Sequence, residues 1–154
     1  MDLKDAKDAE TFLKLFQEPF ETGIELEGQT PIPVWVHNIT PLEDLHVAQC
    51  WGEAYKWLRG QEGSEEASVV RFCNIQSSDM TMFYAIRKGP EKNSPRLFGS
   101  VKEYMKVPIG ARLDLYGKYA DRFVPTEEDL GNSLRARIDG SGTTSNSPAV
   151  SPVN

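Results

Sequence analysis

The stretch from Thr40 to Gly60 (TPLEDLHVAQCWGEAYKWLRG) constrains the fold of this chain more than any other. Thr40 can cap a helix, Pro41 suits the first helical position, and Glu43 completes a capping box. At about 100° per residue, the predicted helix gathers six apolar residues on one side: Val47, Ala48, Trp51, Ala54, Tyr55 and Leu58. We therefore expect a long amphipathic helix whose apolar stripe is buried against the rest of the protein.

Two tryptophans are predicted to contact a partner protein, because core packing accounts for their positions least well. Trp57 lies outside the apolar stripe, on the flank of the helix that also carries His46 and Cys50. Trp35 lies in the short β-like run that precedes the helix. Exposed tryptophans are enriched at interaction sites, so Trp35 and Trp57 are the candidate partner-binding residues.

The chain before this helix carries one helical pattern and two strand patterns. Apolar spacing predicts a short helix from Asp8 to Phe20. Gly23 to Gly28 and Ile32 to Ile39 alternate apolar and polar residues, which predicts two strands that pair as a hairpin. Because proline cannot donate a hydrogen bond to a ladder, Pro31 and Pro33 place the second strand at a sheet edge.

A second long helix is predicted from Glu65 to Arg87, with Ser64 as its cap. The polar stretch Gln76 to Asp79 leaves open another interpretation, in which this helix is broken in two. Two apolar faces suggest a central helix that is covered on both sides. One face carries Val69, Phe72, Cys73, Met80 and Phe83, and the other carries Ile75, Met82 and Ile86.

The next segment alternates between loop and core. Lys88 to Pro95 contains two prolines and a glycine and predicts a loop. Arg96 to Phe98 returns briefly to the core. Ser100 and Glu103 form a second capping box, which predicts a short helix that ends near Lys106.

A third amphipathic helix is predicted to start after Pro108, with its apolar face formed by Ile109, Leu113, Tyr116, Ala120 and Phe123. Thr126 and Asp129 offer a weaker cap for a polar helix.

From Asp139 onward the chain is rich in Ser, Thr, Gly and Pro and predicts a disordered tail. The predicted fold class is therefore mainly α: one helical domain over residues 1–138 with a short N-terminal β-hairpin, followed by a polar tail over residues 139–154.

Charge and hydropathy exclude two classes of partner. The formal net charge is −6 and the basic residues are interspersed with acidic ones, which argues against nucleic-acid binding. Apolar runs fall far short of the ~20 residues of a membrane span, so no membrane partner is expected. The charged, amphipathic first twenty residues are not typical of a signal peptide. We therefore expect a cytoplasmic protein.

The residues that could bind a metal or act as a nucleophile lack the further ligands and partners that such sites require. His46 and Cys50 have the i, i+4 spacing of metal ligands, but a zinc site needs three or four. His37 and Cys73 can join them only if the fold brings all four together. A Cys-His nucleophile also needs an exposed thiol and an orienting third group. The acidic pairs lie at helix starts, where they complement the helix dipole. We predict no catalytic residue, no metal and no cofactor, and hence a protein that is not an enzyme.

As a whole, the pattern resembles the tail assembly chaperones of long-tailed bacteriophages. A β-like run leads into TPLEDL and a helix. MTMFYAIRKG ends the second helix, a Pro- and Gly-rich turn follows, and RLF re-enters the core. SVKEYMKVP and IGARLDLYGKYADRF then form a short capped helix and a closing amphipathic helix. The resemblance covers residues 32–123. The β-like N-terminal part is more prominent here than a purely helical family pattern has it.

The resemblance implies a non-catalytic protein that binds apolar helical segments of the tape-measure protein and aids tail-tube assembly. It implies no transferable site residue. A chaperone that covers apolar helices is also expected to self-associate. The alternative with the same size and composition is a structural virion component, such as a head-tail connector or a tail completion protein. A small enzyme with a metal or thiol site is a third class.

Overall fold

A computed structural model describes residue 14 and residues 17–126, and every structural statement below concerns those residues. They form a three-stranded antiparallel sheet and four helices, which makes the fold mixed α/β. The prediction of helices with an N-terminal hairpin is confirmed, although a third strand joins the hairpin. The elements in chain order are β1 (Phe20–Ile24), β2 (Ile32–Val36), α1 (Pro41–Arg59), α2 (Glu66–Ala85), β3 (Ile86–Arg87), α3 (Val101–Tyr104) and α4 (Ile109–Phe123).

The N-terminal hairpin is built from β1 and β2, with Phe20 opposite Val36 and Ile24 opposite Ile32. The predicted first strand, Gly23 to Gly28, starts three residues and ends four residues too late, and the predicted first helix does not reach Phe20. The pairing of Phe20 with Val36 makes Phe20 the first residue of the strand. The Phe20 ring packs on the Phe123 ring, and the two ring centres are 5.8 Å apart. Lys14 and Gln17 of the predicted helix are helical. Its other residues before Gln17 lie outside the described residues, as do the predicted helix after Thr126 and the tail.

Strand β2 is the central strand, so its predicted edge position is wrong. Trp35 and Val36 pair with β3, and the His37 N–H donates to the Ala85 carbonyl at 2.9 Å. Alternate residues of an antiparallel strand point their backbone groups to the same side, so Pro33 faces the side of β3. Strand β3 has only two residues and does not extend to the position opposite Pro33. The missing N–H of Pro33 therefore leaves no hydrogen bond of the ladder unmade.

Helix α1 begins and ends where the sequence predicts. The Thr40 side chain accepts from the Glu43 N–H, and the Glu43 carboxylate accepts from the Thr40 N–H at 2.9 Å. The predicted stripe is only partly covered: Val47 is buried, Ala48 is exposed, and the other four residues are half-buried. The stripe packs mainly on α2, where Trp51 donates to Asn74 at 3.0 Å. One neighbouring helix cannot cover a stripe of this width.

Helix α2 is continuous through Gln76 to Asp79, so the open alternative of a broken helix is excluded. It ends at Ala85 rather than Arg87, because Ile86 and Arg87 pair with β2. Ser64 does not cap it, since its hydroxyl donates to the Arg59 carbonyl instead. Among the residues predicted to be buried, Phe72 is exposed.

Helices α3 and α4 follow the loop at residues 88–95. Ser100 caps α3 as predicted, but the Glu103 carboxylate accepts from the Gly99 N–H at 2.6 Å, and the helix is one turn that stops at Tyr104. Helix α4 has the predicted bounds, and its predicted face is only partly buried: Phe123 is in the core and Tyr116 packs against it. Leu115, Tyr119 and Phe123 are buried, whereas Ile109 and Leu113 of the predicted face are exposed.

A buried ion pair joins α2 to α4. The Arg112 guanidinium binds the Asp79 carboxylate, and only 10% and 5% of the two side chains are exposed. The Arg112 Nε also donates to the Val107 carbonyl at 2.9 Å, which ties the pair to the turn between α3 and α4. Because the Asp79 carboxylate and the Arg112 guanidinium bind each other, each has its counter-charge inside the fold.

Asp79→Ala is expected to lower the free energy of unfolding by roughly 3–5 kcal/mol, because Arg112 would remain buried without its counter-charge. Urea denaturation measures this loss. Asp114→Ala is the matched control, since Asp114 forms an exposed pair with Lys118 at 2.9 Å and is expected to change stability by at most about 0.5 kcal/mol. Equal effects of the two substitutions would contradict the role given to the buried pair.

Two buried tyrosines differ in their hydrogen bonding. Within the described residues, the Tyr104 hydroxyl has no hydrogen-bond partner, whereas the Tyr119 hydroxyl donates to Asn38 Oδ1 at 3.0 Å. Burial raises the pKa of Tyr119 to about 12. Burial, together with the nearby charge of Asp79, raises the pKa of Tyr104 as well. In the folded state both hydroxyls therefore stay protonated above the pH at which an unfolded tyrosine ionises.

Stability is expected to fall as the pH rises above about 10, because the unfolded chain then loses tyrosine protons that the folded chain keeps. At neutral pH, Tyr104→Phe is expected to raise the free energy of unfolding by about 1 kcal/mol, since it removes an unpaired buried hydroxyl. Tyr119→Phe is expected to lower it by a similar amount, since it breaks a hydrogen bond. Urea denaturation at several pH values tests both, and the opposite order would refute this description of the core.

Candidate functional site

An open groove of about 460 Å³ lies beside the start of α1. Its apolar rim comes from α1, where Leu42 and Leu45 are 76% and 53% exposed. The far side comes from the end of α2 and from the segment after the loop. The groove is lined by Leu42, Glu43, Leu45, His46, Gln49, Tyr84 and Arg96.

A cluster of charges holds the groove in shape. The Arg96 guanidinium lies 4.5 Å from the centre of the Tyr84 ring, and its Nη2 is 3.2 Å from Glu43 Oε1. The Arg87 Nη2 lies 3.6 Å from the same oxygen. The carboxylate that caps α1 thus also binds two arginines. One carboxylate between two guanidiniums leaves this cluster with a net positive charge.

The Tyr84 phenol, the His46 imidazole and the Cys50 thiol contact one another in that order, and the first two line the groove. His46 Nδ1 lies 2.5 Å from the Tyr84 hydroxyl, and Cys50 Sγ lies 3.6 Å from His46 Nε2. Tyr84 is an orienting partner for His46 that sequence reasoning missed, because it lies 38 residues away along the chain. Cys50 is half-exposed, whereas Cys73, which the sequence places on an apolar face of α2, is buried.

The four residues considered as metal ligands do not converge. His37 Nε2 donates to the Gly89 carbonyl at 2.8 Å, and Cys73 lies in the core. Within the described part of the chain, no three His, Cys, Asp or Glu side chains are grouped so that they could hold a metal ion. His46 and Cys50 therefore have no third ligand among these residues.

The two predicted partner-binding residues differ in exposure. Trp57 is 67% exposed, whereas Trp35 is half-buried. At about 100° per residue, Trp57 lies on the same side of α1 as Leu42 and His46. At about 1.5 Å per residue, it lies roughly 18 Å farther along the helix than Leu45. Trp35 pairs directly with Arg87, so both side chains project from the same face of the sheet.

Sequence reasoning missed Leu42 and Leu45, although a signal for them was present. Both leucines lie off the apolar stripe of α1, as Trp57 does, and large apolar residues on a polar helix face point to a contact surface. Together with Trp57 they define what we call the α1 face. Arg96 had no such signal, because its role depends on contacts with residues more than ten positions away.

Comparison with known proteins gives no family for this chain. No protein-family model, curated protein or solved structure matches it. In the described residues, none of the helices combines the length and apolar character needed to cross a membrane. The function must therefore be argued from the groove and the α1 face themselves.

The two cysteines are expected to differ in reactivity. Cys50 is half-exposed, whereas Cys73 is fully buried. A disulfide reagent that releases a chromophore is expected to modify one thiol in the native protein and a second only in urea. Cys50→Ser should remove the fast phase and leave the slow one. Equal rates for both thiols in the native protein would contradict the placement of Cys73 in the core.

Proposed function

We propose that this chain is a non-catalytic assembly chaperone that binds an apolar helical segment of a protein partner along the α1 face. The observation that carries the proposal is the exposure of Leu42, Leu45 and Trp57 on this face, with an open groove at one end. Leu42 and Leu45 lie together on the rim of the groove, and Trp57 lies farther along the same helix; exposed apolar surface beside a groove often marks a site of contact with a partner. An amphipathic helix laid in a groove is a recurring mode of such recognition.

The chemistry of the groove favours one kind of helix. Its apolar rim suits aliphatic side chains at helical spacing, and a volume of about 460 Å³ takes a few of them. The net positive charge of the arginine cluster favours a partner that carries a carboxylate beside its apolar anchors. The groove thus suits an apolar helix with an acidic flank.

The surroundings of Cys50 support a non-catalytic role. Nucleophilic catalysis needs preorganised donors for the developing negative charge, and these donors act best in a site that excludes water. Cys50 lies in the middle of α1, where the backbone N–H groups are used by the helix itself. His46 lies on the surface beside an open groove. Within the described residues, the backbone N–H groups around Cys50 are therefore not free to act as the donors that acyl transfer requires.

In its specific form, the proposal is a phage tail assembly chaperone that acts in the host cytoplasm. Its partners would be the long helical tape-measure protein and the tail-tube subunits, and the chaperone would self-associate. The resemblance over residues 32–123 supports this form, as does the exposed apolar face of an otherwise acidic chain. The tape-measure helices would supply the apolar segments that the α1 face covers.

The proposal predicts that a very long, helical protein is encoded next to this chain in the same genome, and the test is co-expression of the two. We expect the long protein to be soluble only together with this chain and to co-elute with it. Trp57→Ala and Leu45→Asp are expected to weaken binding by about tenfold or more, which is the loss typical of an anchor residue. Isothermal titration with a helical peptide of the partner measures the loss.

Phe72→Ala is the matched control. Phe72 is also an exposed aromatic residue, at 54%, but it lies roughly 200° around α2 from Asn74, which contacts α1. It should leave binding unchanged. Unaltered binding by the Trp57 and Leu45 variants would refute the α1 face. Abundant copies of this chain in purified virions would instead favour a structural virion component.

A further inference from the structure

A chain of contacts runs from Tyr84 through His46 to Cys50, and the proposed helix binding does not use it. His46 Nδ1 lies 2.5 Å from the Tyr84 hydroxyl, and His46 Nε2 lies 3.6 Å from Cys50 Sγ. In the tautomer that carries its proton on Nδ1, the imidazole donates to the Tyr84 oxygen and accepts from the Cys50 thiol. The contact with Tyr84 therefore holds the basic nitrogen of His46 towards the thiol.

Cys50 lies where a reagent from solution can reach it. It is half-exposed, in contrast to the fully buried Cys73. At about 100° per residue, Cys50 lies on the same side of α1 as Leu42 and Trp57, which is the α1 face. It is one turn beyond His46, which lines the groove. A group attached to Cys50 would therefore lie on the α1 face beside the groove.

Arg96 supplies a positive charge close to the thiol. It lines the groove together with His46, and 41% of its side chain is exposed, against 14% for the Glu43 side chain that it contacts. Glu43 also contacts Arg87, so one carboxylate serves two guanidiniums. A guanidinium has five donors, and half of a shared carboxylate does not use them all. A carboxylate of a small ligand in the groove would therefore bind Arg96.

The other charged residues of α1 near the thiol do not oppose such a ligand. Glu53 and Lys56 follow the thiol along the helix and are both exposed. They lie three residues apart, where opposite charges compensate each other. Asp44 lies about 160° from His46 around the helix axis, so it faces away from the imidazole. The uncompensated charge that a ligand meets beside the thiol is therefore that of Arg96.

We propose that Cys50 exchanges with a small disulfide that carries carboxylates, of the kind that a cysteine-containing peptide forms, and that His46 takes the thiol proton. The proton passes from Cys50 Sγ to His46 Nε2, and the sulfur attacks one sulfur of the disulfide. A new S–S bond to Cys50 forms as the old S–S bond breaks, so one half stays on the protein. The other half leaves as a thiolate and takes the proton from His46. Cys50 is thereby oxidised and the leaving half is reduced.

This exchange agrees with the absence of free backbone donors around Cys50 in the described helix. Thiol–disulfide exchange keeps the negative charge on sulfur throughout, so it does not need the donors that acyl transfer requires. The inference does not rest on the proposed function, because the reaction is measured on the chain alone. The half that stays on Cys50 would lie on the surface where the proposed function places a helix.

Oxidised glutathione is the probe, and intact-mass spectrometry of the full chain follows the mixed disulfide. We expect one adduct per native chain, which peptide mapping assigns to Cys50. His46→Gln is expected to lower the second-order rate constant about tenfold, because an ordinary thiol is only a few per cent thiolate at neutral pH and the variant has no base beside it. Cys73 should stay unmodified in each variant until urea is added, which shows that the fold is intact.

Cystamine, a disulfide with an ammonium group at each end, tests the role of Arg96. Both reagents react with the same thiol, so the ratio of the rate constants for oxidised glutathione and cystamine reports the preference for a carboxylate. Arg96→Gln is expected to lower this ratio about threefold or more. Lys118→Gln is the matched control: it changes the net charge equally, but Lys118 lies on α4 and pairs with Asp114, so the ratio should stay unchanged.

Three results would each overturn the proposal. The first is a native chain that forms no adduct on Cys50. The second is a His46→Gln variant that reacts as fast as the wild type. The third is an Arg96→Gln variant with the same ratio of rate constants as Lys118→Gln.

Discussion

The buried pair between Asp79 and Arg112 sets the rotation of α4 against α2. Helix α4 is apolar over a wider arc than its neighbours can cover, so apolar packing alone does not choose the buried face. Turning Leu113 inward would gain about 1–2 kcal/mol. Leaving Asp79 buried without its counter-charge would cost several kcal/mol. The ion pair therefore prevails, and Leu115, Tyr119 and Phe123 enter the core on the same side as Arg112.

The parts of the fold that depend on short-range signals could be predicted from the sequence. The Thr40–Glu43 capping box gave the start of α1, Pro108 gave the start of α4, and alternation gave the hairpin. The parts that depend on distant partners could not. The polar residue Asp79 looked like a possible helix break, because its partner Arg112 lies 33 residues away. A two-residue strand such as β3 has no pattern of its own, since β2 supplies its pairing.

In the candidate site, too, some residues could be placed from short-range signals, whereas others depend on distant partners. The exposure of Trp57 followed from its position off the apolar stripe, and the same reasoning applied to Leu42 and Leu45 would have extended the surface to the groove. Arg96 and Tyr84 could not be placed, because their stacking depends on where the chain returns after the loop. Glu43 takes part in both local and tertiary structure. Its role as a cap is local, whereas its contacts with Arg87 and Arg96 belong to the tertiary fold.

Helix α2 passes into β3 without a connecting loop, and this limits how the molecule can deform. The Ala85 carbonyl already accepts from the His37 N–H, so α2 cannot slide or turn without breaking the ladder between β2 and β3. Helix α1, by contrast, meets α2 through a turn that contains two glycines, one of them Gly63 with φ of 73°. The sheet and α2 therefore act as a fixed frame, and the contacts of Glu43 with Arg87 and Arg96 tie the start of α1, and with it the groove, to that frame.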